Sequence, residues 1–158
     1  MRVLGLDPGT VRTGWGVVER DGPRLRHLAA GVIRVPERLP LHERLHRIHD
    51  GLVQVIAQSG AQAVAVEDIF YAKHANAALK LGHVRGVTLL AVTRAGLEVH
   101  AYPPAVVKKA VVGRGRADKR QVARLVGAIL RLKELPGEDA TDALAIAIAH
   151  LSRASIRP

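Results

Sequence analysis

The sequence contains no cysteine. That excludes a disulfide scaffold, a Cys-ligated zinc or iron–sulfur centre and a thiol nucleophile. Long hydrophobic runs are missing too: stretches such as Ala143–Ala149 fall far short of the ~20 residues that a membrane span requires. Met1-Arg2 leads straight into Val-Leu-Gly-Leu-Asp, an apolar stretch too short for a signal peptide and ended by a carboxylate. A cytoplasmic location without membrane attachment is therefore expected. Aromatic residues make up 3% of the chain, with one Phe, one Trp and two Tyr, so the place of each is informative. Negative charge is sparse: 14 Asp+Glu face 24 Lys+Arg, a net charge of +10.

The 158 residues are 48% hydrophobic. A single domain over residues 1–158 is expected, since domains commonly run ~100–200 residues, and a chain of this size buries roughly 68–70% of its unfolded surface. The positive charge is unevenly placed. Residues 73–133 hold 13 basic side chains against 2 acidic ones, Glu98 and Asp118, whereas the rest of the chain holds 11 against 12. A solvated surface intersperses its signs; a one-signed stretch predicts a surface for a polyanion, with nucleic acid the foremost class. Arg24, outside that stretch, is expected to be dispensable for it.

Hydrophobic patterning gives the element order. Arg2–Leu6 reads as a strand stopped by Asp7-Pro8-Gly9-Thr10, Gly14–Val18 and Leu25–Val35 as two more around an Asp21-Gly22-Pro23 turn. Leu41, Leu45, Ile48, Leu52, Val55 and Ile56 follow a helical period closed by Ser59-Gly60. Ala63–Val66 is a buried-type strand ending on Glu67-Asp68. Asn76 is placed to cap a helix that runs to about Ala95, and Leu97–Tyr102 is a fifth strand. Pro103-Pro104 opens a short helix to Val112, Asp118 caps the next, and a last helix spans about Glu138 to Arg153. Three antiparallel strands followed by strands alternating with helices predict an α/β mixed sheet flanked by helices.

Four carboxylates stand where chemistry is placed in such folds. Asp7 and Glu67 each follow an apolar strand, and strand ends carry the sites of α/β proteins. Asp139 and Asp142, three apart at a helix start, share a face. Each has a structural reading by itself: a turn former, a strand end, a partner for the helix dipole. As a set they suit hard divalent cations, since Mg²⁺ binds through a few carboxylates, waters and substrate phosphates. Two such ions ~4 Å apart can drive an in-line phosphodiester displacement.

Leu4-Gly5-Leu6-Asp7-Pro8-Gly9-Thr10 with Gly14-Trp15-Gly16-Val17 resembles the opening of the RuvC family, the bacterial Holliday junction resolvases. The likeness continues through Val66–Phe70, Lys73–Gly82 and Arg85-Gly86. It resumes at Val107-Lys108, Val111–Gly113, Ala117–Lys119 and Asp139–Ala147, in order along nearly the whole chain. The resemblance implies an RNase H-like fold and a homodimer. It implies Mg²⁺-dependent nicking of two opposed strands of a four-way DNA junction in recombination and repair, leaving 5′-phosphate and 3′-hydroxyl ends. Two ions per subunit are implied, with Mn²⁺ able to substitute, and cooperation with the RuvA and RuvB branch-migration complex. Asp7, Glu67, Asp139 and Asp142 fall on the family's catalytic, metal-binding acids, Lys108 and Lys119 on supporting lysines, and Phe70 on an aromatic that stacks near the crossover. With the basic stretch this gives an expected DNA-contacting set of Phe70, Lys73, Lys80, Arg85, Lys108, Arg114, Arg116 and Lys119.

Other signals carry less. His42, His46 and His49 at i, i+4 and i+7 could bind zinc on a helix but lack a fourth ligand, and read as a solvated flank. Gly113-Arg114-Gly115-Arg116 lacks the Gly-Lys-Ser/Thr ending of a phosphate loop and reads as a turn whose arginines meet DNA backbone. Trp15 reads as core. A sugar-kinase or actin-like ATPase shares an Asp-x-Gly-Thr opening but needs a second lobe for which 158 residues leave no room. A non-catalytic DNA module has no use for four converging acids, and the YqgF-like family, with a similar opening, is disfavoured by the 67–70 loop and the Asp139/Asp142 pair.

Overall fold

In β1 (Arg2–Asp7), the period of two along Val3-Leu4-Gly5-Leu6-Asp7 decides which face each residue serves. Val3 joins a core on one side of the sheet, while Leu4 and Leu6 join a core on the other. The computed structural model describes residues 1–68, 74–113 and 116–154. After β1 come β2 (Arg12–Asp21), β3 (Arg24–Arg34), α1 (Leu41–Ser59), β4 (Ala63–Glu67), α2 (Ala75–Arg94), β5 (Glu98–Tyr102), α3 (Pro104–Val112), α4 (Lys119–Leu130) and α5 (Glu138–Ala154).

The sheet order is β3-β2-β1-β4-β5, antiparallel from β3 to β1 and parallel from β1 through β4 to β5. This is the expected mixed sheet. One face packs on α1 and α2 through Ile48, Leu52, Ile56, Val84 and Val92. The other packs on α3, α4 and α5 through Val107, Val122, Val126, Leu144 and Ile148. β1 and β4 are covered on both faces, hence their unbroken apolar runs. Helix α5 is buried almost all round from Ala140 to Leu151, as a helix crossing a sheet centre must be.

Several boundaries differ from the sequence reading. β2 extends from Arg12 to Asp21 because its polar ends keep pairing with β3, Arg12 opposite Arg34 and Asp21 opposite Arg24. In α1 the buried stripe begins at Arg44, not Leu41; the Arg44 guanidinium donates to the Thr10 carbonyl at 3.1 Å and so ties α1 to the turn after β1. Helix α2 begins at Ala75 with His74 at its N-cap and no side-chain cap, so Asn76 lies inside the helix. The Asp118 cap is observed as a full capping box with Gln121, and Gly60 closes α1 at φ 59. Trp15 packs against the α1 side of the core and lies over Gly31, while His46 and His49 both face Asp50 on the α1 flank.

Candidate active site

The same period that sends Leu4 and Leu6 to α1 sends Gly5 and Asp7 to α5. Leu6 lies beside Val66 in the parallel β1–β4 pair, so Asp7 and Glu67, the last residues of the two strands, end side by side. On β4 the alternation Ala65, Glu67 again faces α5. The sheet and α5 meet almost backbone to backbone. A Cβ built on Gly5 would overlap the Ala143 carbonyl oxygen, one on Gly14 the Asp139 carbonyl oxygen, and one on Gly16 the Leu144 side chain. These three glycines let the first turns of α5 settle on β1 and β2, which carries Asp142 over the ends of the strands.

The result is a cleft of about 220 Å³ lined by Asp7, Glu67, Lys108, Lys119 and Asp142, with Pro104, Val107, Val122 and Ala145 as its apolar wall. Asp139 stands at its edge, where Arg12 Nε holds its carboxylate at 3.3 Å. Lys119 Nζ bridges Glu138 at 2.8 Å and Asp142 at 3.4 Å. The turn after β1 is fixed by buried Thr13, whose hydroxyl donates to the Gly9 carbonyl. The exit of β4 is fixed by Arg85 of α2, which pairs with Asp68 at 2.9 Å and donates to the Glu67 carbonyl at 2.8 Å.

The charges of the acids are coupled. Burial, then repulsion from Glu67, Asp142 and Asp139, pushes the Asp7 carboxyl up from 3.8 to about 7. Burial and Asp142 raise Glu67, with Lys119 and Lys108 opposing. Burial raises Asp142 as well, against the pull of Lys119. Lys119 itself is raised, chiefly by its hydrogen bond to Glu138. Among the described residues no three His, Asp or Glu side chains enclose a single point as they lie. Asp139 and Asp142 are instead engaged by Arg12 and Lys119, at 3.3 and 3.4 Å.

One consequence can be measured on metal-free protein. Asp7 takes up a proton more readily folded than unfolded, so its contribution to stability is complete below about pH 4 and is lost as pH rises through 7. The size is about 4 kcal/mol for a shift of this extent. Buried His150, whose Nδ1 meets the Tyr102 hydroxyl at 2.8 Å, is pushed down to about 4 by burial and His100 and acts in the opposite sense below pH 6.5. Comparison with Asp7→Asn cancels that contribution. In EDTA, the variant's advantage in thermal stability over the wild type is expected to grow from about pH 4 to pH 7 and then to level off; parallel melting curves would show that Asp7 is not under this strain.

The structure brings together Asp7, Glu67, Asp142, Lys108 and Lys119, with Asp139 adjoining. Lys80 lies exposed on α2 and Arg116 exposed in the turn before α4. Arg85 is half-buried and engaged by Asp68 and the Glu67 carbonyl. Phe70, Lys73 and Arg114 lie outside the described residues. Arg12, Glu138 and Asp68 were not singled out in the sequence; the charge complement of Arg12 and Asp139 appears only once β2 and α5 are juxtaposed.

The model of the family described as Crossover junction endodeoxyribonuclease RuvC matches residues 3–150. The chain belongs to the RuvC family. It is similar to the Crossover junction endodeoxyribonuclease RuvC of Sorangium cellulosum (strain So ce56), with 52% identity over 98% of this chain and 86% of that protein. Among solved structures it is similar to Thermus thermophilus RuvC in complex with a Holliday junction substrate: 40% identity, TM-score 0.92, 98% of this chain and 94% of that one. The yeast mitochondrial Holliday junction resolvase Ydc2 shares 11% identity at a TM-score of 0.67, over 95% of this chain and 77% of that one. That likeness shows the fold alone. Membership of RuvC agrees with the RNase H-like sheet predicted from the sequence, and no helix among the described residues is long and apolar enough to cross a membrane.

Proposed function

We propose that this protein resolves four-way DNA junctions by hydrolysing one phosphodiester in each of two opposed strands. The observation that carries the reading is the convergence of Asp7, Glu67 and Asp142 in one cleft with Lys108 and Lys119, in a chain of the RuvC family. The donor set is all carboxylate oxygen, and three of its members are raised by burial and mutual repulsion. Such a set fits hard divalent cations. In this reading Asp7, Glu67, Asp139 and Asp142 would hold two Mg²⁺ per subunit, or Mn²⁺ in their place. Bound cations supply an activated water and stabilisation of the leaving oxygen.

The remaining work falls to the protein's own side chains. Asp7 and Glu67 are fixed by the paired strands. Asp139 and Asp142, now paired with Arg12 and Lys119, would complete the set around the ions, and the Arg12 and Lys119 side chains would then be available to phosphate oxygens. Lys108 adds positive charge on the opposite wall. Exposed Lys80 and Arg116, together with Phe70, Lys73 and Arg114, extend the DNA surface in this proposal.

Two symmetric cuts in strands of like polarity need two sites, and a two-fold dimer supplies them in opposite orientation. Helix α2 is the proposed contact: Leu79 and Leu90 are 64% and 52% exposed, and nothing lies within 4 Å of a Cβ at Gly82 or Gly86. Cooperation with RuvA and RuvB, in the cytoplasm, follows from the resemblance. The test is a synthetic four-way junction incubated with and without Mg²⁺, with sedimentation of the complex in parallel. Paired symmetric nicks with 5′-phosphate ends, made only with Mg²⁺ by a dimer, are expected; equal nicking of linear duplex would overturn the reading.

A further inference from the structure

Helix α4 starts at Lys119 on the acid cleft, contains no acidic residue, and is capped at its C-terminus by Arg131, roughly 18 Å further along at 1.5 Å per residue. Arg120 and Arg124, four apart and both exposed, share one face of it. Arg124 and Arg131 line a groove of about 410 Å³. Arg131 also lines a second cleft, of about 810 Å³, whose opposite wall is the β2–β3 turn with Arg20, Arg24 and His27. The end of α5 closes this cleft, at the opposite end of that helix from Asp142.

The cleft is cationic beyond what the fold uses. Arg20 donates to the Leu151 carbonyl at 2.6 Å, and Arg26 meets Asp21, the cleft's one acid, at 3.8 Å. Arg24 and Arg131 make no ion pair among the described residues. His27 Nε2 is buried there without a hydrogen-bond partner. A cation at the C-terminus of α4 complements the helix dipole, which explains Arg131. It does not explain Arg24, which comes from another element across the cleft.

Resting on the junction reading above, we propose that this cleft grips the sugar–phosphate backbone of a junction arm roughly five base pairs from the cut, at ~3.4 Å per phosphate along one strand. The cations recur along a helix that begins at the cleavage site, which matches a regularly charged polymer better than an acidic peptide seated in one pocket. Arg24 therefore belongs to the DNA surface, although it lies far outside residues 73–133 and the sequence reading made it dispensable. Topology joins the two segments: the β2–β3 turn reaches the end of α4.

The test uses the charge-removing variant Arg24→Gln/Arg131→Asn; asparagine tolerates the left-handed conformation at 131 (φ 53). Binding is measured against salt on two junctions, one all-phosphate and one with neutral methylphosphonates at the fourth to seventh phosphates from the cut. On the all-phosphate junction the salt slope is expected to fall by roughly 1.8, two contacts at ~0.9 each. On the modified junction wild type and variant should bind alike, and cleavage at saturating protein should match wild type on both. An unchanged slope, or equal loss on both junctions, overturns the arm contact. So does displacement of wild type by poly-glutamate with equal potency on both junctions, which would assign the cleft to an acidic protein. Failure of the wild type itself to bind or cut a junction would instead sink the function on which the proposal rests.

Discussion

Asp7→Asn, Glu67→Gln and Asp142→Asn are each expected to lower junction cleavage by roughly 10³, because a Lewis-acid site contributes several kcal/mol to the barrier. Junction binding should stay close to wild type, since the basic side chains that meet phosphate are untouched. The substitutions are isosteric; they remove the charge and replace one acceptor oxygen by an amide NH2. Asp7 is the most buried of the acids and feels all three others, so its loss should be the most complete. Asp139, at the edge and held by Arg12, should give a smaller loss that grows at low Mg²⁺. The measurement is single-turnover cleavage of a labelled junction across a Mg²⁺ titration. Near wild-type rates for any of the first three would remove that residue from the metal site. An Asp7→Asn protein that is inactive yet more stable above pH 7 would separate function from folding, because a structural carboxylate would lose both.

Much of this site is legible in the sequence for reasons of periodicity. The alternation in β1 and β4 puts Asp7 and Glu67 on one face at the strand ends, and the i, i+3 spacing puts Asp139 and Asp142 together at the start of α5. Local signals also hold: Asp118 caps α4 with Gln121, Pro104 opens α3, Gly60 closes α1. What escaped depends on pairing between distant elements. Arg12 meets Asp139 across the β2–α5 contact, Lys119 meets Glu138 across α4 and α5, and Arg85 reaches Asp68 from α2. None of these pairs has a spacing that a one-dimensional reading could weigh. Arg44 and His150 are buried polar side chains on otherwise apolar faces, and their partners, the Thr10 carbonyl and the Tyr102 hydroxyl, come from other parts of the chain.

Gly5→Ala and Gly14→Ala test why the acids converge at all. A glycine in a strand interior marks close backbone approach, and here the approaching groups are the carbonyls of Ala143 and Asp139. A backbone carbonyl inside a packed helix cannot rotate away as a flexible side chain can. α5 must lift from the sheet, carrying Leu144 and Ile148 partly out of a core in which both are buried. Overpacking of this kind costs about 3 kcal/mol, at the upper end of the usual range, or roughly 6–12 °C in Tm for a chain of this length. The two variants should differ in function. Gly5 sits under the second turn of α5, so Gly5→Ala is expected mainly to destabilise. Gly14 sits under Asp139, so Gly14→Ala is expected to displace the first turn and lose cleavage even at temperatures where the protein remains folded. Gly82→Ala supplies the contrast: a Cβ there meets nothing within 4 Å, and an alanine inside α2 should stabilise the isolated subunit by about 0.5–1 kcal/mol. Thermal melts of the three variants, with cleavage measured well below each Tm, check the ordering. Wild-type melting of Gly5→Ala would mean that α5 is not seated on β1 as described, and the placement of Asp142 over Asp7 would fall with it.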